Sequence, residues 1–225
     1  MHAAIHGDLS SRTVVDTKAI SWTPSPGGAV LRKRVHLVGP PEAGQVTAVV
    51  QYEPDSHFHS HDHPDGEEIL VIDGVFSDEH GHWPTGTYLL NPEGFRHAPY
   101  SRNGCLLFVK LRQFPGRDRQ HIIVDTVNSP WQRTGDRELK QLYSQPGYED
   151  SMRLERWPPA STIDEREFPL GAELFVLRGT FEDKHGFYDA HTWLRLPPHS
   201  TQTLKTEDGC ELYVKEGGFA YLRSA

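Results

Sequence analysis

The sequence predicts an all-β protein made of two tandem jelly-roll barrels, and three observations lead to this fold class. Apolar residues come in short runs, such as 69–72 and 106–109, which have the length of strands. Turn residues separate these runs, and the chain of 225 residues contains 20 Gly and 17 Pro. The sequence also repeats itself, so the same set of short strands occurs twice. Closed barrels are a common way for such chains to protect their edge strands.

The repeat is a gapless match between residues 52–110 and 157–215, at an offset of 105 positions with 19 identities among 59 aligned residues. Roughly four identities are expected from ordinary residue usage. We therefore predict two copies of one structural unit, an N-terminal unit at 1–120 and a C-terminal unit at 121–225. At most one segment, Arg137–Tyr143, has a pattern that is compatible with a helix.

Composition excludes several classes of protein. The net charge of −8 and the lack of a basic block argue against nucleic acid as a partner. No apolar stretch approaches the roughly 18 residues of a membrane helix, and we see no apolar signal-peptide core near the N-terminus. Cys105 and Cys210 are the two cysteines, too few for a disulfide scaffold, which favours a reducing, cytoplasmic location.

Four residues have the spacing of a metal site: His61, His63, Glu67 and His97. Histidines two positions apart on an extended segment share a face, and the carboxylate follows four positions after the second histidine. Imidazole with carboxylate suits zinc, iron, manganese or nickel better than calcium or magnesium. We therefore predict one bound divalent transition metal, with zinc or Fe(II) favoured and manganese or nickel as alternatives.

The second copy is an internal control for this prediction. Its residues at the four equivalent positions cannot form the same site, since they are Arg166, Phe168, Ala172 and Gln202. The set is lost as a whole while Gly66, Glu68, Val71, Gly74 and Pro92 persist, so we predict one metal per chain and a degenerate second unit. Glu67 and its neighbour Glu68 point to opposite faces of a strand. Glu68 is retained as Glu173 in the second copy, and therefore Glu67 is the predicted ligand.

Other polar residues near this motif have two interpretations. His57 and His59 extend the alternation of histidines and are candidates for contacts behind the ligands, although a polar barrel mouth explains them equally simply. Tyr88 and Tyr100 are candidates to line a pocket, and aromatic residues are also ordinary strand formers.

Further motifs surround the four predicted ligands, namely 66–81, Gly86-Thr87-Tyr88, Pro92, His97-Ala98-Pro99 and Gly104-Cys105. With these motifs the sequence resembles the ChrR-like cupin family, in which a small β-barrel holds one metal. The resemblance implies the same four ligands, His61, His63, Glu67 and His97. The family includes the sensor domain of ChrR-type zinc anti-sigma factors, which respond to singlet oxygen. It has relatives among small non-haem iron dioxygenases that cleave diketone-like substrates.

One departure from ChrR-type anti-sigma factors is that this chain has no CxxC motif, so we expect no direct binding of a sigma factor. The resemblance implies a sensory or regulatory metal protein of the oxidative-stress type. The alternative is a non-haem Fe(II) dioxygenase for a small diketone- or hydroxyketone-like substrate, with Glu67 as a base. Either function implies a small-molecule ligand, and because cupins are often dimers we expect a homodimer.

Overall fold

A computed structural model gives the structure of the protein and describes residues 4–225. This part of the chain is all-β, as the sequence predicts, and contains two short 3-10 helices at Thr17–Ala19 and Phe219–Tyr221 but no α-helix. The strands in chain order are β1 (Thr13–Asp16), β2 (Thr23–Pro24), β3 (Val30–Val38), β4 (Gln45–Tyr52), β5 (Ser56–His57), β6 (His61–Asp62), β7 (Glu67–Asp78), β8 (Gly81–Pro84), β9 (Thr87–Asn91), β10 (Arg96–His97), β11 (Tyr100–Ser101), β12 (Cys105–Leu111), β13 (Ile122–Asp125), β14 (Gln132–Thr134), β15 (Arg137–Ser144), β16 (Ser151–Trp157), β17 (Ser161–Phe168), β18 (Ala172–Asp183), β19 (Gly186–Asp189), β20 (Thr192–Leu196), β21 (Ser200–Thr206) and β22 (Cys210–Glu216).

The segment that was compatible with a helix is a strand. Residues Arg137–Ser144 form β15, which pairs with β14 on one side and β16 on the other. Tertiary context overrides the helical propensity of Glu138, Leu139 and Lys140 here, because an isolated helix of two turns is marginal in water. No helix within residues 4–225 has the length and apolar character that crossing a membrane requires.

The chain forms two compact units whose large sheets have the same strand order. The first sheet runs β13-β9-β7-β12-β4-β3-β2, and the second runs β1-β20-β18-β22-β16-β15-β14. At the sequence offset of 105, β9 corresponds to β20, β7 to β18, β12 to β22 and β4 to β16. The structure therefore shows the tandem barrels that the repeat predicts.

Neither compact unit is one continuous stretch of chain. Within the described residues, the first unit contains 4–7, 20–128 and 221–225, and the second contains 8–19 and 129–220. Strand β1 pairs with β20, and β13 pairs with β9, so each unit is completed by a strand that precedes the other unit's repeat. A comparison of the repeats could not reveal this exchange, because both strands lie outside the matched residues.

The interior of the first barrel is apolar except at one end. A row of Cα partners crosses four neighbouring strands at that end, from Val46 through Leu111 and Glu67 to Asn91. Further along the barrel the interior is filled by one cluster of buried residues, which includes Val30, Ala48, Val50, Tyr52, Ile69, Val71, Phe76, Leu89, Cys105, Leu107 and Val109. Glu67 thus begins a strand at the boundary between this core and the polar end of the barrel.

Candidate metal centre

Two short strands and a tight turn bring the predicted ligands together. His61 of β6 and His97 of β10 are direct Cα partners, so their side chains lie next to each other. The chain then turns at Asp65 and Gly66, whose φ angles are 56° and 71°, and enters β7 at Glu67. A Cβ at Gly66 would lie 2.9 Å from the Cβ of Phe114, so the close approach requires glycine.

Three ligating atoms converge on one point. The Nε2 atoms of His63 and His97 are 2.8 Å apart, and the Oε2 atom of Glu67 lies 3.4 and 3.5 Å from them. The ligating atoms of His61, His63 and His97 all lie within 4.8 Å of one another. His63, Glu67 and His97 are buried and His61 is half-buried. The chemistry of this donor set and its convergence fit a divalent transition metal.

Each of three ligand candidates is held from behind by a hydrogen bond. His97 Nδ1 lies 3.1 Å from Asp78 Oδ2, and His61 Nδ1 lies 2.8 Å from the carbonyl oxygen of His59. If these Nδ1 atoms carry the proton, as their acceptors require, the Nε2 atoms are left free to bind a metal. The Asn91 amide donates to Glu67 Oε2 at 2.9 Å and fixes that carboxylate in turn.

The two buried imidazoles have pKa values shifted in opposite directions. Burial lowers the pKa of His63, and the charge of Glu67 only partly offsets it. Burial also acts to lower the pKa of His97, but the hydrogen bond to Asp78 and the charge of Glu67 raise it overall. The pKa of Asp78 is lowered, because the hydrogen bonds from His97 and the backbone of His80 outweigh burial. A proton therefore competes with a metal more strongly at His97 than at His63.

The structure separates the two neighbouring glutamates as the sequence predicts. Glu67 faces the histidines, whereas Glu68 on the other side of β7 accepts a 2.8 Å hydrogen bond from the hydroxyl of Tyr88. Tyr88 is buried, and its hydroxyl reaches the face of β7 opposite to the one that carries Glu67. That Tyr88 lines a pocket stays a prediction.

The remaining candidates lie at the edge of the site. The imidazoles of His57 and His59 are exposed, and His59 contributes its carbonyl oxygen rather than its side chain. Tyr100 is half-buried and pairs with His57 across β11 and β5. Its ring contacts His82 at a centroid distance of 6.3 Å. None of these three side chains has a hydrogen bond to a predicted ligand within residues 4–225.

Sequence reasoning missed Asp78, Asn91 and Tyr52 as parts of the site. Asp78 gave no signal of such a role, because its retention in the second copy as Asp183 is what a scaffold residue shows. Tyr52 is a buried core residue whose ring packs edge-on against Phe58 and Phe76 at 5.6 and 5.7 Å. Burial raises the pKa of Tyr52 well above its usual range, and the charge of Glu67 adds to this. A protonated phenol thus lies within electrostatic reach of the Glu67 carboxylate.

Comparisons with known proteins agree with the fold and the repeat. The family model of the ChrR Cupin-like domain matches residues 10–115 and again residues 119–220. The chain belongs to the ChrR cupin-like family. No curated protein matches it.

Solved structures of the same fold include proteins with differing descriptions. A candidate dioxygenase from Nostoc punctiforme is 16% identical with a TM-score of 0.79, over 94% of this chain and 84% of that one. The bacterial pirin YhhW from Escherichia coli, solved with nickel(II), is 12% identical with a TM-score of 0.68, over 92% and 99%. Oxalate decarboxylase from Bacillus subtilis is 11% identical with a TM-score of 0.65, over 95% and 79%. At these identities the likeness shows the cupin fold.

Proposed function

We propose that this bicupin binds one divalent transition metal in its first barrel through His61, His63, Glu67 and His97. The observation that carries the proposal is the convergence of two buried Nε2 atoms and one carboxylate oxygen within 3.5 Å of one another. Three imidazoles and one carboxylate suit zinc, iron, manganese or nickel. The backing contacts from Asp78 and Asn91 are the kind that orient metal ligands and tune their basicity.

The role that we infer for this centre is sensory or regulatory, of the oxidative-stress type. Membership of the ChrR cupin-like family over both units supports this role. The centre would report on a ligand or an oxidant that reaches the metal. The metal would organise the first barrel, and binding of the ligand or oxidant would change the conformation of that barrel.

An oxygen-dependent enzyme is the second candidate, and the protein's own residues favour it in one respect. Glu67 is held by Asn91 at the boundary of an apolar interior, which suits a base that takes a proton from a small diketone- or hydroxyketone-like substrate. The phenol of Tyr52 is a candidate hydrogen-bond donor to such a substrate. Ferrous iron bound there would supply Lewis acidity together with redox reactivity towards dioxygen, whereas zinc would supply the Lewis acidity without redox chemistry. The likeness to a candidate dioxygenase supports the fold required for this chemistry.

Metal analysis combined with oxygen uptake separates the two roles. The protein is purified under air and under nitrogen, its metals are measured by mass spectrometry, and it is then reconstituted with Fe(II) or zinc. Zinc in both preparations, with no oxygen consumption by Fe(II)-loaded protein across a screen of β-diketones and hydroxyketones, supports the sensor. Iron that sustains substrate-dependent oxygen uptake supports the enzyme. A protein that retains no metal in either preparation and binds none on reconstitution contradicts both.

A further inference from the structure

A small cavity of about 90 Å³ lies in the first unit, next to the predicted metal centre. One wall is entirely aliphatic and is formed by residues of β4 and β12, namely Val46, Ala48, Val50, Val109 and Leu111. Leu111 is the Cα partner of Glu67, so this wall continues into the row that carries the carboxylate of the metal centre. The second barrel has no equivalent wall, because Ala48 and Val50 correspond to Arg153 and Glu155.

The rest of the lining is mainly cationic, and Arg32 and Arg34 are the Cα partners of Val50 and Ala48. This part of the lining includes Arg32, Arg34 and Arg112, with Glu42 as the one acidic residue. The side chains of Arg32 and Arg34 are only 15% and 13% exposed. Two guanidinium groups held close together and away from water repel each other, and a carboxylate ligand would relieve this repulsion.

The arginines have hydrogen-bonding capacity left over. The Nε atoms of Arg32 and Arg34 are buried and have no hydrogen-bond partner. Buried polar atoms without partners are uncommon in native proteins, and each calls for an explanation. Glu42 accepts hydrogen bonds only from Nη atoms of these arginines. A ligand carboxylate bound side-on, to Nε as well as to an Nη atom, would satisfy the remaining donors, because the guanidinium group presents its N–H donors in a fixed fork.

Glu42 shows how a carboxylate fits between these arginines. It lies on the loop between β3 and β4, and its two oxygens accept hydrogen bonds from Arg32 at 2.8 and 3.0 Å. Arg34 donates to the same carboxylate at 3.2 Å. The Glu42 side chain is 51% exposed, so it can leave the arginines for water without crossing the core.

We propose that this cavity binds a small aliphatic monocarboxylate, whose carboxylate replaces that of Glu42 on Arg32 and Arg34. The alkyl chain of the ligand would lie against the aliphatic wall formed by Ala48 and Val50. A volume of 90 Å³ holds about three water-sized groups, since each water occupies about 30 Å³, which suits chains of the length of propionate or butyrate. Glu42 then competes with the ligand for the two arginines, and this competition raises the ligand concentration that binding requires.

The site does not depend on the proposed metal, because no arginine in it is a predicted ligand. Arg112 connects the two sites, because it lines the cavity and its charge also acts on His63. A carboxylate bound here would partly neutralise the positive charge beside the histidine cluster. It would also present its aliphatic end towards the strand row that contains Glu67.

Titration calorimetry of the full chain with sodium butyrate, and with butyramide as the uncharged control, tests the site. We expect butyrate to bind and butyramide not to bind. Arg34→Gln should weaken butyrate binding at least about tenfold, because a charge-assisted hydrogen bond is lost. Glu42→Gln should strengthen it at least about tenfold, because the internal competitor loses its charge. Arg133→Gln changes an exposed arginine of β14 and should have no effect.

Two outcomes overturn the proposal and leave the metal centre untouched. One is the absence of butyrate binding to a Glu42→Gln protein that melts like the wild type. The other is butyrate binding that His97→Ala abolishes and Arg34→Gln preserves, which would place the carboxylate on the metal. Conversely, the protein can be treated with a chelator before the titration. If butyrate affinity then still falls in Arg34→Gln and rises in Glu42→Gln, the carboxylate site is supported even if the proposed function is wrong.

Discussion

The interiors of the two barrels differ in how they accommodate polar groups. In the first barrel, three histidines and Glu67 converge at one end and the neighbouring wall is aliphatic. In the second barrel, the residue equivalent to His61 is Arg166, which binds both oxygens of the fully buried Glu155 at 2.9 and 3.0 Å. One ancestral scaffold thus supports two arrangements, a site suited to a metal and a closed ion-pair cluster.

The ion-pair cluster replaces the metal ligands and the aliphatic wall together. Arg153 donates to Glu155 at 2.7 Å and to Glu216 at 2.9 Å, and Arg166 lies 4.6 Å from the ring centroid of Phe168. Burial acts to raise the pKa of Glu155, but the surrounding arginines lower it overall. The position of one lost ligand, Arg166, is thus part of a set of internal charges that satisfy each other.

One contact behind the ligands survives in both barrels. His97 Nδ1 faces Asp78 in the first barrel, and Gln202 Nε2 donates to the equivalent Asp183 at 2.8 Å in the second. Arg12 also contacts Asp183, at 2.7 Å. The aspartate is therefore part of the scaffold, and only the first barrel uses it to orient an imidazole.

The largest expected effect is the loss of metal from the first barrel. We expect His63→Ala or His97→Ala to abolish stoichiometric binding, whereas Gln202→Ala at the equivalent position of the second barrel should leave one metal per chain. Elemental analysis of the purified variants measures this. Two metals per chain in both wild type and Gln202→Ala would contradict the comparison between the barrels.

The second expected effect is on the stability of the second barrel. Glu155→Ala leaves Arg153 and Arg166 without their buried partner, and removing one member of a buried ion pair typically costs about 3–5 kcal/mol. Glu138→Ala is the control, because its 3.8 Å pair with Arg156 is exposed and worth about 0–1 kcal/mol. Urea unfolding followed by circular dichroism compares them. Equal free energies of unfolding for the two variants would show that the buried ion pairs of Glu155 do not stabilise the second barrel.

Glu67→Gln should weaken metal binding by more than the roughly 10–100-fold typical of changes behind the ligands. It removes an anionic ligand, whereas Glu68→Gln alters a hydrogen bond to Tyr88 on the other face of β7. Competition with a chromogenic chelator measures both affinities. If Glu67→Gln binds as tightly as the wild type, the carboxylate is not a ligand.

The smallest expected effect concerns pH. Because Asp78 raises the pKa of His97, metal affinity should be full above that pKa and should fall as the pH decreases through it. Asp78→Asn lowers the pKa of His97, so the fall should begin at a lower pH. At neutral pH this variant should bind metal about tenfold more weakly, because its histidine is less well oriented. Affinity titrations between about pH 5 and 8 show whether the midpoint moves in this direction.

The sequence by itself determined the fold class, the two copies and the group of predicted ligands. Short apolar runs between turns specify strands, and the gapless offset of 105 residues specifies two equal barrels. Strand alternation allowed only one of Glu67 and Glu68 to be a ligand, and the retention of Glu68 as Glu173 in the second copy selected Glu67. These features depend on local chemistry and on comparison within the chain.

Only the tertiary structure decided which residues support the ligands and how each barrel is completed. Asp78 and Asn91 reach His97 and Glu67 from other strands, 19 and 24 residues away in sequence. The hydroxyl of Tyr88 on β9 reaches Glu68, on the face of β7 opposite to Glu67. Residues 137–144 form a strand because neighbouring strands supply their hydrogen bonds. Contacts between distant segments depend on sheet order and strand register, which a local pattern does not specify.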